Sequence, residues 1–296
     1  LSLHDALPIS LNVNAWLLAF CCLLAALPCQ AQTPAKAQAR GVALVIGNAA
    51  YADRALPNPG NDAADVAQLL REAGFEVLAR GNLTESAMKE ALADFEDRLR
   101  ASRGVGVFYF AGHGMQTSRG RNFLLPVGRS YTRERDVELF GVPADAVLAS
   151  MEKVGNALNI VILDACRDAP LPSETRSAIS RGLARMDAPS GSLIAFATAP
   201  GRTASDNPGR RNGLYTQHLL RVLRQPGLRL EDVFKEVGRA VERDSGGQQS
   251  PEEFMKLRDP APFCLFPGRG CGAGAGPRLA SADEVEQEFW DAIKTS

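Results

Sequence analysis

Short, uninterrupted apolar runs alternate along the chain with longer amphipathic ones. Gly41–Gly47, Val105–Ala111, Ile160–Leu163 and Ser192–Ala197 are continuous and rich in β-branched or aromatic residues. That pattern fits strands buried on both faces, as in a parallel sheet. Phe75–Ala79 reads as a further strand and Phe263–Phe266 as the last, with a small strand at Phe123–Leu125. Between them the apolar positions recur at helical spacing. Val66, Leu69 and Leu70 share one face over Ala63–Ala73, where Asn61 or Asp62 suits the N-cap and Gly74 the stop. Met88, Leu92, Phe95 and Leu99 do the same after the Thr84 cap, in a helix reaching about Arg100. Pro143–Lys153, Leu214–Leu223 and Leu230–Asp244 complete the helices. Strands alternating with helices of this length predict an α/β fold: a mostly parallel sheet of about six strands flanked by helices.

The ends of the chain read differently. Ala15–Leu27 is apolar but shorter than the roughly 20 residues a helix needs to cross a bilayer. Cys29 and Ala31 behind it suit a signal-peptidase cleavage site. Residues 1–31 are therefore read as a signal peptide, and residues 1–10 within them match nothing around them. The mature chain is expected to be exported, periplasmic or secreted, with no stable membrane span. Residues 32–40 form a polar linker, 41–268 the main domain, and 269–281 a Gly/Ala-rich linker. Residues 282–296 begin an acidic amphipathic helix with Val285, Phe289, Trp290 and Ile293 apolar, the start of a truncated helical C-terminal module.

Composition narrows the functional classes. A formal net charge of −1 provides no field to attract nucleic acid. A doubly wound nucleotide-binding domain would need a Gly-rich phosphate loop after its first strand, and Gly47-Asn48-Ala49-Ala50-Tyr51 is not one. Beyond residue 31 the cysteines are Cys166, Cys264 and Cys271 and the histidines His113 and His218, with no metal-site spacing among them. Cys264 and Cys271 flank a short loop and are compatible with a disulfide or with two free thiols.

The chemistry converges on two strand ends. Ile160–Leu163 stops at Asp164-Ala165-Cys166, and Val105–Ala111 stops at Gly112-His113-Gly114. Ligands bind at the carboxyl edge of open α/β sheets. If the two strands are parallel neighbours, His113 and Cys166 emerge side by side, and a thiol beside an imidazole is an activated nucleophile. Taken singly, Cys166 would pass for a core cysteine and His113 for a loop histidine.

Tyr109-Phe110-Ala111-Gly112-His113-Gly114 and Leu163-Asp164-Ala165-Cys166-Arg167 resemble the two catalytic boxes of the caspase/metacaspase peptidases. The interval between them is about the 50 residues seen in caspases. Ala195–Gly201 resembles the strand and turn beside the substrate cleft in that family, and Gly246–Pro251 a segment near its C-terminal end. Four boxes in order, within about Gly41–Phe266, are most similar to the bacterial orthocaspase-type enzymes. The resemblance implies a caspase-like fold and a cysteine endopeptidase acting on proteins or peptides. In that reading Cys166 is the nucleophile, His113 the acid/base, and the backbone N–H groups of Gly114 and Cys166 the oxyanion hole.

The resemblance also implies a P1 preference. Asp164 stands where caspases carry glutamine, Asp206 where they carry a pocket arginine, and Asn61-Asp62-Ala63 resembles a metacaspase pocket segment. Acids at these places suit Arg, then Lys, at P1. Asp62 would otherwise be only a helix cap and Asp206 only a turn residue. Arg176, Arg181 and Arg185, in the loop after Cys166, are candidates for self-cleavage. The Cys box continues Arg167-Asp168-Ala169, not His-Ser-Gly as in metacaspases, which leaves calcium dependence open. No cofactor is expected. The competing class is a caspase-like binding scaffold that has lost turnover.

Overall fold

In the computed structural model of the chain, the described residues are 39–166, 183–199, 202–257, 263–269 and 271. The segment expected to be a signal peptide, the linker and helix expected beyond residue 271, and Arg176 and Arg181 lie outside them.

The elements run β1 (Gly41–Gly47), α1 (Pro59–Glu72), β2 (Glu76–Gly81), α2 (Glu85–Ser102), β3 (Val105–Gln116) and β4 (Asn122–Leu124). Then come α3 (Glu134–Phe140), β5 (Val142–Pro143), α4 (Ala144–Val154), β6 (Asn159–Cys166), β7 (Ser192–Phe196), α5 (Leu214–Leu223), α6 (Leu230–Asp244) and β8 (Glu252–Lys256). The main path of the sheet is β2-β1-β3-β6-β7-β8, parallel up to β7, with β8 antiparallel at the edge. β4 and β5 extend β3 as a small antiparallel annex.

Alternation along the buried strands supplies a core on each face. Val45, Tyr109, Ile160 and Ile162 pack with α1, α5 and α6. Leu44, Phe108, Phe110, Val161 and Leu163 pack with α2 and α4. β1, β3, β6 and β7 bury both of their faces, which is why their centres read as apolar runs.

Four expectations need correction. First, β3 and β6 do not stop at Ala111 and Leu163 but continue to Gln116 and Cys166. His113 therefore lies within a strand and not in a turn after one. Second, α1 starts at Pro59, with Asn58 as N-cap, so neither Asn61 nor Asp62 caps it. Proline at the first helical position has no N–H to leave unbonded and its φ already suits a helix. Third, Phe263–Phe266 is not a strand. Its carbonyls take the N–H groups of Leu230 and Gly227 at 2.9 Å each, and Arg40 donates to Cys264 and Leu265. The run is apolar because Phe263 and Leu265 are buried against α5 and α6. Fourth, the last strand is β8, whose partly exposed Glu-Glu-Phe-Met-Lys sequence carries no buried-strand pattern.

Cys264 and Cys271 form a disulfide, resolving the alternatives left by spacing.

Candidate active site

β1 pairs with β2 on one side and β3 on the other, so chain order reverses there. The carboxyl ends of β3 and β6 lie beside this reversal, where an open α/β sheet forms a crevice. The parallel register sets His113 directly opposite Cys166. Adjacent strands run about 4.8 Å apart, so the two backbones stand at that separation.

His113 is fully buried and held from three directions. Its Nε2 donates to the carbonyl oxygen of Arg54 at 2.9 Å. A carbonyl only accepts, so Nε2 carries the hydrogen, and in the neutral ring Nδ1 keeps the lone pair. The backbone N–H of His113 donates to the Tyr51 hydroxyl at 3.0 Å, and that hydroxyl donates to the Leu125 carbonyl at 2.8 Å. The Tyr51 ring lies against the imidazole with centroids 4.4 Å apart. Gly112 makes this approach possible: a Cβ there would sit 2.7 Å from the Tyr51 hydroxyl oxygen and 3.1 Å from the Asn48 carbonyl oxygen. Gly114 follows His113 in β3, opposite Leu124 of β4.

The three acids named from the sequence come together. Asp164 lies on the α5 side of β6, in the alternation of Ile160 and Ile162, and is 7% exposed. Asp62, from the first turn of α1, is 3% exposed. An oxygen of each reaches within 4 Å of the same point beside Gly213, the N-cap of α5. Asp206, half-buried, is close enough to act electrostatically on both.

The start of α5 supplies the donors. The Gly213 N–H donates to Asp62 at 3.0 Å, and the Thr216 hydroxyl donates to Asp164 at 2.6 Å. The Tyr109 and Thr216 hydroxyl oxygens are 2.6 Å apart, which extends the chain into the core. Burial raises both acids well above the usual carboxylate range. Asp62 is pushed to about 8 by desolvation and then by the charge of Asp164, against the bonds from Asn212 and Gly213. Asp164 is pushed to about 6, desolvation again leading, while its bonds to Thr216 hold it down. Such a pair titrates as a unit, with more protons bound at neutral pH than two free aspartates would hold.

Tyr51, Arg54, Thr216 and Gly213 were not legible as candidate site residues, and Tyr109 was legible only as part of its box. Each acts through a partner distant in sequence, and a lone Tyr, Thr or backbone carbonyl carries no motif. Gln249, in a segment the sequence did single out, has a positional role. It is buried, accepts from the Ser205 N–H at 2.9 Å and donates to the Ala197 carbonyl at 2.8 Å, pinning the Asp206 loop to the end of β7. Among the described residues no group of three or more His, Cys, Asp or Glu is placed to hold a metal ion. No described helix is long and apolar enough to cross a membrane.

Comparison with known proteins agrees with this geometry. The family model described as the caspase domain matches residues 40–262. Mucosa-associated lymphoid tissue lymphoma translocation protein 1 of Homo sapiens is 34% identical over 130 residues, 43% of this chain and 15% of that protein. Its Mus musculus homologue matches to the same extent. The matched stretch thus spans about 15% of the length of these relatives. With the sheet, the paired strand ends and the family match in agreement, the chain belongs to the caspase-domain family of cysteine peptidases.

Proposed function

We propose that this chain is a cysteine endopeptidase, of the bacterial orthocaspase type, that cuts peptide bonds after arginine and, secondarily, lysine. The Cys166 thiolate attacks the scissile carbonyl carbon, and the N–H groups of Gly114 and Cys166 hold the oxyanion. His113, whose Nε2 is engaged with Arg54, takes the Cys166 thiol proton on Nδ1 as the thiolate forms and delivers it to the leaving amine as the C–N bond breaks. Water then attacks the thioester, His113 takes its proton, and the thiol is released.

The observation that carries the P1 assignment is the buried acid pair. Asp62 and Asp164 converge on one point, and the neighbouring charges that raise them are carboxylates. A guanidinium or ammonium would compensate them, whereas a P1 aspartate would add like charge in a confined space. The test is a matched set of fluorogenic peptides ending in Arg, Lys or Asp, together with an Arg-ketone probe. Arg is expected to be cut fastest and Cys166 to be labelled. Preference for Asp would sink the pocket assignment, and a folded protein that neither cuts nor labels would be a scaffold.

Export is part of the same proposal. The Cys264–Cys271 disulfide supports it, since structural disulfides persist in oxidising compartments. Fractionation of the source cells, with N-terminal sequencing of the purified protein, tests it. A mature start near Gln32 outside the cytoplasm is expected, and cytoplasmic protein retaining Ala15–Leu27 would overturn it.

A further inference from the structure

α5 is entered through Gly213, whose φ of −54° and ψ of 153° are open to every amino acid. Backbone conformation therefore does not call for glycine here, but space does. A Cβ at this position would stand 3.3 Å from Oδ2 of Asp62, 3.7 Å from Oδ2 of Asp164 and 3.6 Å from the Ser205 carbonyl oxygen. The three atoms nearest that point are all oxygens. Two belong to side chains more than nine-tenths buried. The Gly213 N–H bonds the other oxygen of Asp62, Oδ1, which leaves Oδ2 turned to that point. The Ser205 carbonyl accepts from the Leu214 N–H at 3.1 Å, which fixes the third oxygen.

We infer that Gly213 is a specificity-determining residue: by carrying no side chain it keeps open, between Asp62 and Asp164, the space that the cationic head of the P1 residue fills. This rests on the basic-P1 reading above. A methyl group would fit the fold, because 3.6 and 3.7 Å are ordinary contacts and Asp62 need yield only slightly. It would also occupy the place where a guanidinium meets both carboxylates. Selectivity then depends on an absent side chain as much as on the two acids.

The experiment compares Gly213→Ala with the parent on matched Arg and Lys peptides, with alkylation of Cys166 by iodoacetamide and thermal unfolding as controls. We expect kcat/KM on the Arg peptide to fall by about tenfold or more, mainly through KM, with alkylation rate and Tm near those of the parent. A folded variant with parental kcat/KM on Arg overturns the inference. A second measurement needs no variant. In parent protein labelled with 15N-glycine, agmatine, a decarboxylated arginine, should shift the Gly213 amide signal in step with its inhibition of Arg-peptide cleavage. An unmoved signal under inhibiting agmatine also overturns it. If the parent neither cuts after Arg or Lys nor is inhibited by agmatine, the basic-P1 reading fails and this inference falls with it. Parental cleavage alongside an unaffected variant removes the role of Gly213 alone.

Discussion

Nε2 of His113 donates to the Arg54 carbonyl at 2.9 Å, so a loop before α1 sets the tautomer of a residue on β3. The backbone carbonyl cannot be mutated away, but the ring it orients can. Cys166→Ala should abolish peptide hydrolysis while leaving thermal unfolding nearly unchanged. His113→Ala should lower kcat by about 10²–10⁴-fold, the usual worth of a positioned acid/base. Steady-state kinetics on an Arg peptide decides both, and turnover near parental in either variant would remove the dyad.

Thr216 donates to Asp164 and adjoins Tyr109. Thr216→Val keeps the shape and removes the donor, leaving a buried carboxylate short of a bond at a cost of about 1–3 kcal/mol. Asp164 should then hold its proton to higher pH. Cleavage after Arg should drop at neutral pH and recover as pH rises, while Thr216→Ser behaves like the parent. Kinetic pH profiles of the three proteins decide this. A uniform loss at all pH values would mean that Thr216 is only a packing residue.

The acid pair should couple substrate binding to pH. Asp62 is raised to about 8 and Asp164 to about 6, so protons leave the pair as pH climbs through that window. A bound cation favours the ionised form. Between pH 6 and 8, kcat/KM for Arg peptides should therefore rise by up to about tenfold per pH unit, after correction for the pH dependence of Cys166 alkylation. Asp62→Asn should flatten this rise. A profile identical to that of the variant would show that the pair is not protonated in the free enzyme.

The same shifts set a stability trend of known sign. Below about pH 4 both folded and unfolded carboxylates are protonated. From there to about pH 8 the unfolded chain loses these protons while the folded pair keeps part of them. The folded state then binds more protons, so this pair's contribution to stability falls as pH rises. Urea unfolding at several pH values should show a steeper decline for the parent than for Asp62→Asn. Equal slopes would contradict the assignment.

The Cys264–Cys271 bridge holds the strip whose carbonyls receive Arg40, which itself bonds Ala73. Replacing both cysteines by Ser should cost roughly 2 kcal/mol, the loop-closure entropy of so short a ring. For a domain of this size that is on the order of 5 °C in Tm. Calorimetry of the double variant, and of the parent with reductant, should agree. A Tm unchanged in both would mean that the strip is held by Arg40 and its backbone bonds alone.

The parallel core was legible because burial on both faces writes itself into composition. β1 and β7 and the central parts of β3 and β6 are apolar runs, and the bounds of α5 and α6 follow from their periodicity. Cys166, His113 and the three acids stand out as candidates because their residue types sit in segments that resemble the family's local boxes. What sequence could not carry was anything whose reason lies across the fold. β8 is an edge strand, so half of its surface answers to solvent and its pattern is diluted by Glu and Lys. Phe263–Phe266 looked like a strand because it is buried, yet its backbone bonds go to the connection between α5 and α6. The strand ends moved outward because β3 and β6 bond each other as far as His113 and Cys166, a pairing that no local propensity encodes. Only the tertiary structure brought Asp62 of α1 and Asp164 of β6 to the same point beside Gly213. Their raised proton affinity follows from that meeting, because desolvation and like charge belong to places in a fold and not to residues in a row.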